Sequence, residues 1–263
     1  MRDGNLSVTF LGTRGSVPVN GKEYERYGGA TSCVRVLAGN EEIYLDAGSG
    51  IVQARPEQDT HITVLFSHLH LDHVQGLPFF PALAQAGRPI ALYAADREGI
   101  SGQEAIDRLF SPPLWPCRIS DYPAEVSFHP LQSRFSIGSV PVTTMPSFHP
   151  GGATIYRLAY QGKSLVYATD FEHTGEKIQE LIRFAQDADL LIYDGQYTQE
   201  EYEKRKGYGH STASVGGEIA AAARVKQFFI THHDPRHTDD WFMQMERQNP
   251  QITYAKDGEE ILL

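Results

Sequence analysis

The sequence predicts an α/β protein built as a four-layer αββα sandwich, two β-sheets packed together with helices outside. Three observations point there. Strand-like segments fall into two β-rich halves, each leading on to helix and then strand. The chain has 263 residues, 41% hydrophobic and 21% charged, which is enough apolar material for a full core and too little charge for a disordered polymer. No short-period repeat and no Gly/Ser or charged linker interrupts it, so residues 1–263 are read as one domain.

In chain order, alternating or short apolar runs ended by Gly, Pro or polar clusters predict strands at residues 7–12, 32–37, 42–46, 62–67 and 90–94. Residues 99–122 carry Pro112, Pro113 and Pro116 and are read as an irregular surface insertion. Further strands are expected at 125–129, 140–145, 155–160 and 164–169, the last two forming a hairpin. Spaced apolar residues and alanines predict helices at 176–187 and 211–225, with strands at 190–194 and 228–231. The charge run 200–206 reads as a solvated helix with an i,i+4 pair between Glu200 and Lys204.

With 33 acidic and 23 basic residues the formal charge is −10, which disfavours a general nucleic-acid coat. The N-terminal stretch, residues 1–11, lacks the basic and apolar regions of a signal peptide, and no apolar run is long enough to cross a bilayer. Cys33 and Cys117 supply neither a disulfide framework nor a CxxC knuckle and read as small apolar groups. A cytoplasmic protein without membrane contact is expected.

The decisive stretch is Ser67-His68-Leu69-His70-Leu71-Asp72-His73, directly after the apolar run 62–66. An HxHxDH pattern arises by chance on the order of once in a thousand chains of this composition. Imidazole and carboxylate are the ligands that borderline divalent metals such as zinc prefer. Alternate residues at a strand end let His68 and His70 reach one ion, and Asp72 and His73 on the following turn reach a second. His149, Asp170 and His232, each closing a strand-like segment, are the remaining candidates. Alone, each reads as an ordinary surface residue; with the first motif they complete three nitrogens at one ion and a nitrogen-and-carboxylate set at the other.

On these residues the chain resembles the metallo-β-lactamase-fold hydrolases across nearly its whole length. The resemblance implies that one ion binds His68, His70 and His149, the other Asp72, His73 and His232, with Asp170 bridging both. The chain is most similar to the phosphodiesterase branch that includes ribonuclease Z and cyclic-phosphate hydrolases, through Leu11-Gly12-Thr13-Arg14-Gly15-Ser16, Tyr27-Gly28-Gly29-Ala30-Thr31-Ser32, Leu45-Asp46-Ala47-Gly48 and Gly209-His210-Ser211-Thr212. In that branch the histidine of the last motif faces the metals, oriented by an acidic residue on the preceding strand, here Asp194. His210 is read as the acid and Asp194 as its orienter, catalytic together with Asp72. The bland reading is a helix cap, which Ser211 can supply while His210 points elsewhere.

Two divalent ions about 3.5–4 Å apart share a water and lower its pKa toward neutrality. Two such ions with two aspartates and one hydroxide carry roughly one net positive charge, which favours an anionic ester despite the acidic chain. Expulsion of an alkoxide needs a proton, which His210 held by Asp194 can supply. Ribonuclease Z-like enzymes carry a long arm for transfer RNA between the third metal histidine and the bridging aspartate. Here twenty residues separate His149 from Asp170, filled by the hairpin 155–169, and no basic stripe is present. The expected enzyme is therefore a binuclear phosphodiesterase of small or cyclic phosphodiesters, with Zn2+ first and Mn2+ second, extended nucleic acid disfavoured and a homodimer by family analogy. The resemblance leaves three other readings: a thioesterase or lactonase of the same fold, a ribonuclease Z-like endonuclease without the arm, and a metal-containing ligand-binding protein without turnover. True β-lactamases are disfavoured by Asp170.

The loop Phe110-Ser111-Pro112-Pro113-Leu114-Trp115-Pro116 is either a lid that stacks on a nucleobase or a loop pinned by a half-buried Trp115. Phe79 and Phe80 are expected in the core. His173, His233 and Asp234 are candidates for orienting metal ligands, and His61, His129 and His237 are expected at the surface or at strand ends.

Overall fold

The computed structural model describes residues 6–263; residues 1–5 of the stretch tested for a leader lie outside the described residues. In the first sheet β1 (Leu6–Gly12), β2 (Cys33–Ala38) and β3 (Glu41–Leu45) form an antiparallel meander. To this β4 (His61–Leu65), β5 (Pro89–Ala94) and β6 (Glu125–Pro130) add in parallel. The second sheet repeats the plan. Antiparallel β7 (Arg134–Ile137), β8 (Val140–Ser147), β9 (Ala153–Tyr160) and β10 (Lys163–Ala168) lead into parallel β11 (Leu190–Asp194), β12 (Gln227–Thr231) and β13 (Thr253–Tyr254). The terminal β14 (Glu260–Leu262) returns to β1, so each sheet has seven strands.

Strand side chains alternate between faces, and this divides the core. In β3, Ile43 and Leu45 point between the sheets while Tyr44 points to the outer layer. In β11, Leu190 and Ile192 point between the sheets while Leu191 and Tyr193 meet the helices on the far side. Both strands are buried throughout because both faces are covered. One core therefore lies between the sheets and one outside each of them, the four layers that the patterning predicts.

The elements that patterning does not reveal are short or thinly apolar. β7, β13 and β14 have four, two and three residues. Residues 99–122 are not wholly irregular: α2 (Gly102–Leu109) lies there, with the Ser101 hydroxyl accepting from Glu104 N at 3.1 Å. Its buried residues are Gly102 and Ile106, too few for an apolar stripe. The helix α6 (Asp239–Gln248) likewise buries little besides Phe242. The remaining helices are α1 (Leu71–Val74), α3 (Gly175–Phe184), α4 (Gln199–Glu203) and α5 (Ala213–Ala222). α4 carries the expected Glu200–Lys204 pair at 2.6 Å.

Two expectations are corrected, and one of the two readings of the Pro/Trp loop is favoured. Phe80 is buried, but Phe79 lies on the surface with its edge against Trp115. His237 is not a surface residue: it is buried, stacked on Trp241 at 3.7 Å, and its carbonyl accepts from Arg14 Nη1. The Pro/Trp loop is pinned, because the Trp115 indole donates to Tyr122 Oη at 3.2 Å and packs on Phe110. Among the described residues no helix is long and apolar enough to cross a membrane.

Candidate metal centre

The parallel strands of both sheets end at one edge of the sandwich, and the candidate ligands sit on the loops that leave them. β4 ends at Leu65 and delivers His68, then His70 at the N-cap of α1, then Asp72 and His73 in its first turn. His149 follows β8, Asp170 follows β10, Asp194 closes β11 and His232 follows β12. Tight turning is needed at these exits. Asp46, Asp170 and His232 all take left-handed backbone, with φ of 64°, 53° and 60°, as does Ser16 at 63°. Strained backbone of this kind, costing about 1–3 kcal/mol per residue, persists only where surrounding contacts hold it.

All nine residues read from the sequence as ligands or catalytic groups come together. His149 Nε2 lies 3.2 Å from His70 Nδ1, with His68 in the same group. Asp72 Oδ2 lies 3.1 Å from His232 Nε2 and 3.3 Å from His73 Nε2. Asp170 reaches both groups with different oxygens. Its Oδ1 is 3.7 Å from His68 Nε2 and from His149 Nε2, and its Oδ2 is 3.2 Å from His73 Nε2 and 3.5 Å from His232 Nε2. A tetrahedral ion with bonds of about 2.0–2.1 Å spaces its ligand atoms by roughly 3.3 Å, so the cluster has the spacing of two adjoining sites. His68 Nε2 is buried without any hydrogen-bond partner, as expected of a nitrogen aimed at an ion. The donor set fits a binuclear site.

Neighbouring residues set the orientation of the rings. Asp46 accepts from Ser67 N at 2.7 Å, Ser67 Oγ at 2.8 Å, His73 Nδ1 at 2.8 Å and Tyr167 Oη at 2.9 Å. The proton on His73 Nδ1 leaves the Nε2 lone pair for a metal. His149 Nδ1 donates to the Gly209 carbonyl at 3.0 Å, which does the same for that ring. The loop carrying Gly209 is held by buried Glu172, whose carboxylate accepts from Gly207 N at 2.6 Å and Gly209 N at 2.9 Å. Ser16 N donates to Asp72 Oδ2 at 2.7 Å. Gly15 and Gly209 admit no side chain, since a Cβ would stand 2.3 Å from His232 and 2.0 Å from His149 respectively.

Charge follows this geometry. Burial and the neighbouring histidines hold His68 well below the usual histidine range, and burial also lowers His70 and His149, so these rings are neutral and able to ligate. Burial alone would lower His73 and His232 too. The carboxylates outweigh it: His73 is held well above its ordinary value, chiefly by Asp170 and Asp72, and His232 is pushed up to about 9 by Asp170 and Asp72. The same pairing overcomes the desolvation of Asp72 and Asp170 and keeps both ionised.

His210 Nδ1 donates to Asp194 Oδ2 at 2.9 Å and lies 3.8 Å from Asp170 Oδ1, its ring stacked on His232 with centroids 4.8 Å apart. Asp194 is fully buried and also accepts from Phe171 N and Gln196 N. The helix-cap alternative does not account for this, because the cap of α5 is Thr212, whose side chain accepts from Val215 N. His173, His233 and Asp234 do not orient ligands. His173 Nδ1 meets Ser211 Oγ, His233 Nε2 donates to the Ala255 carbonyl, and Asp234 pairs with Arg236. The orienting groups are Asp46 and Glu172 instead. Asp46 lies in the quoted Leu45-Asp46-Ala47-Gly48 motif, where an acid closing a strand is a usable signal. Glu172 carries no sequence signal, since its partners lie 35 and 37 residues away.

The β-lactamase superfamily domain model matches residues 41–233. Ribonuclease Z of Prochlorococcus marinus (strain NATL1A) is 26% identical over 291 aligned positions, covering 89% of each chain. Among solved structures, the metallo-β-lactamase fold protein YhfI of Bacillus subtilis superposes with a TM-score of 0.76 at 19% identity, covering 99% of this chain and 100% of that one. A diphosphatase from the PhnP family gives 0.71 at 18% identity, covering 97% of each. Zn(2+)-bound PqqB of Methylobacterium extorquens gives 0.64 at 19% identity, covering 98% of this chain and 100% of that one. At these identities the structures share the fold, while the family match spans both halves of the ligand cluster. The chain belongs to the metallo-β-lactamase superfamily.

Proposed function

We propose that the chain is a binuclear metal-dependent phosphodiesterase acting on small or cyclic phosphodiesters, with two zinc ions as the first choice of metal and manganese as the alternative. The observation that carries this reading is the His210–Asp194 pair beside Asp170, a proton donor with its orienter next to the metal cluster. Phosphodiester cleavage expels a poor alkoxide that needs a proton, whereas a thioester expels a thiolate and makes less use of such an acid.

His68, His70 and His149 would hold one ion and Asp72, His73 and His232 the other, with one oxygen of Asp170 turned to each group. When bound, two divalent ions supply Lewis acidity and an activated water at neutral pH. In the balanced reaction the water oxygen forms the new P–O bond and the P–O bond to the leaving group breaks. The departing oxygen takes a proton from His210, and the proton of the water passes to solvent. Asp194 holds the Nδ1–H, which leaves Nε2, hydrogen-bonded to nothing among the described residues, as the nitrogen that would give up the proton. A small substrate is favoured because the β9–β10 hairpin takes up the interval between His149 and Asp170 in which an RNA-binding arm would lie.

The test is metal content and initial rates on one preparation. Bis(p-nitrophenyl) phosphate and a cyclic nucleotide are compared with a thioester, a lactone and a 3′-extended transfer RNA, with Asp170→Ala as control. The expected result is about two ions per chain and phosphodiester turnover lost in the variant. Turnover of the thioester alone refutes the acid role of His210, turnover of the lactone alone refutes the phosphodiester substrate, efficient cleavage of the RNA refutes the small substrate, and metal binding without any turnover leaves a binding protein.

A further inference from the structure

A cavity of about 310 Å³ opens directly beside His68 and His70 and runs to Arg97, Ile100, Ala105 and Gly152. Small-molecule sites span on the order of 300–1,000 Å³, so this one takes a compact group rather than a stretch of oligonucleotide. Its one cationic wall residue is Arg97, on a tight turn in which Arg97 and Ile100 exchange backbone hydrogen bonds in both directions. The guanidinium is half-buried. Nη2 donates to the Ser67 carbonyl at 3.3 Å and to Thr154 Oγ1 at 2.9 Å. Nε and Nη1 donate to nothing among the described residues, and no carboxylate acts on the group, whose only titratable neighbour of influence is the Tyr156 phenol. Glu98, at the exposed tip of the turn, lines the mouth of the cavity without an ion pair to Arg97.

A half-buried guanidinium whose Nε and Nη1 have no protein acceptor is free to make charge-assisted hydrogen bonds to an anion in the cavity. Burial pulls Arg97 below its ordinary value, as expected of a cation lacking its counter-charge. The backbone accommodates it at close range: Gly152 has φ of 77°, and a Cβ there would stand 2.2 Å from Arg97 Nη1. The Gly151–Gly152 turn follows His149, so one loop both supplies a metal-facing ring and leaves room for the guanidinium.

We propose that this cavity is a second anion subsite, in which Arg97 holds a phosphate or carboxylate carried by the substrate while the scissile phosphodiester sits at the metal cluster. The inference rests on the phosphodiesterase reading and narrows it: the substrate is a small phosphodiester bearing a further anionic group. Arg97 is thereby a specificity residue and takes no part in bond breaking.

The experiment compares kcat/KM of the metal-loaded protein on three p-nitrophenyl phosphodiesters whose second ester arm ends in a hydroxyl, a carboxylate or a phosphate. The expected preference for the better charged arm over the hydroxyl arm is on the order of 10- to 100-fold, the strength of a charge-assisted contact. Which charged arm wins distinguishes carboxylate from phosphate. In Arg97→Met the ratio falls to near one. The ratio is the readout, so any general loss from the donor removed at the Ser67 carbonyl cancels. Ala105→Glu, which adds a negative charge to the cavity lining without removing the Arg97 donors at Ser67 and Thr154, also collapses the ratio and serves if Arg97→Met does not fold. Turnover of all three esters at equal efficiency, or a preference that survives both variants, refutes the subsite alone. If the wild-type protein hydrolyses none of the three, the phosphodiesterase reading falls and takes the subsite with it.

Discussion

Asp46 sits between the sheets, contributes no metal-facing atom, and governs one that does. Four donors converge on its two oxygens: Ser67 N on Oδ1, and Ser67 Oγ, His73 Nδ1 and Tyr167 Oη on Oδ2. Asp46→Asn preserves shape and backbone, since asparagine tolerates the left-handed φ of 64°. It replaces one acceptor by a donor. With the amide nitrogen at the Oδ1 position, the buried Ser67 N–H faces another N–H, at a cost of about 1–3 kcal/mol. With the nitrogen at the Oδ2 position, the two hydroxyls can rotate to accept, but His73 must accept at Nδ1 and carry its proton on Nε2. That atom lies 3.2 Å from Asp170 Oδ2 and 3.3 Å from Asp72 Oδ2, on the face where a lone pair is required. The second orientation takes the lone pair from the metal-facing nitrogen and the first replaces a charged acceptor at Nδ1 by a weaker neutral one, and loss of such orienting contacts typically costs 10- to 100-fold in metal affinity. Chelator competition measures the affinity of each ion, and the 15N shifts of His73 report which nitrogen holds the proton. A variant that binds both ions within about twofold of the parent, with the Nδ1–H tautomer retained, would refute the orienting role.

Gly209→Ala sets a methyl 2.0 Å from His149 Nδ1 at a φ of 91°. The strain costs roughly 1–2 kcal/mol, and affinity for the ion facing His149 is expected to drop at least tenfold, while unchanged affinity would show that the loop gives way without moving the ring. The pH dependence of metal-free protein tests His232. Its acid constant near 9 in the fold exceeds the ordinary value of 6.5, so its contribution is complete below about pH 6.5 and is lost as pH rises through 9. Chelator-treated protein should therefore melt progressively lower across that interval. Metal must displace the same proton, so loading releases protons, the more so toward pH 6.5, and calorimetry in buffers of different ionisation enthalpy detects it. A melting temperature that rises over this range, or loading without proton release, contradicts the protonated His232.

The layered α/β plan was legible because central strands such as β3 and β11 are apolar along their whole length, and strand ends are marked by Gly, Pro and polar residues. The seven ligand residues were legible because metal chemistry tolerates few side-chain types, and four of them crowd into six positions of sequence. His210 and Asp194 entered through the resemblance, since they lie sixteen positions apart and no local spacing links them. Short elements escaped: a two-residue strand such as β13 has no period to read, and α2 buries too little to show a stripe. Local pattern reports burial and chemical type, both of which act residue by residue. It does not report which atom of Asp170 turns to which histidine, that Asp46 rather than Asp234 holds a ligand ring, that Glu172 pins the Gly209 loop, or that Arg97 keeps two donors free beside His68 and His70. Those are relations between groups 21 to 102 residues apart in the chain, set when two sheets pack and their loops meet at one edge. Only the folded chain decides them, because hydrogen-bond direction and the presence or absence of a counter-charge depend on distances that exist after packing.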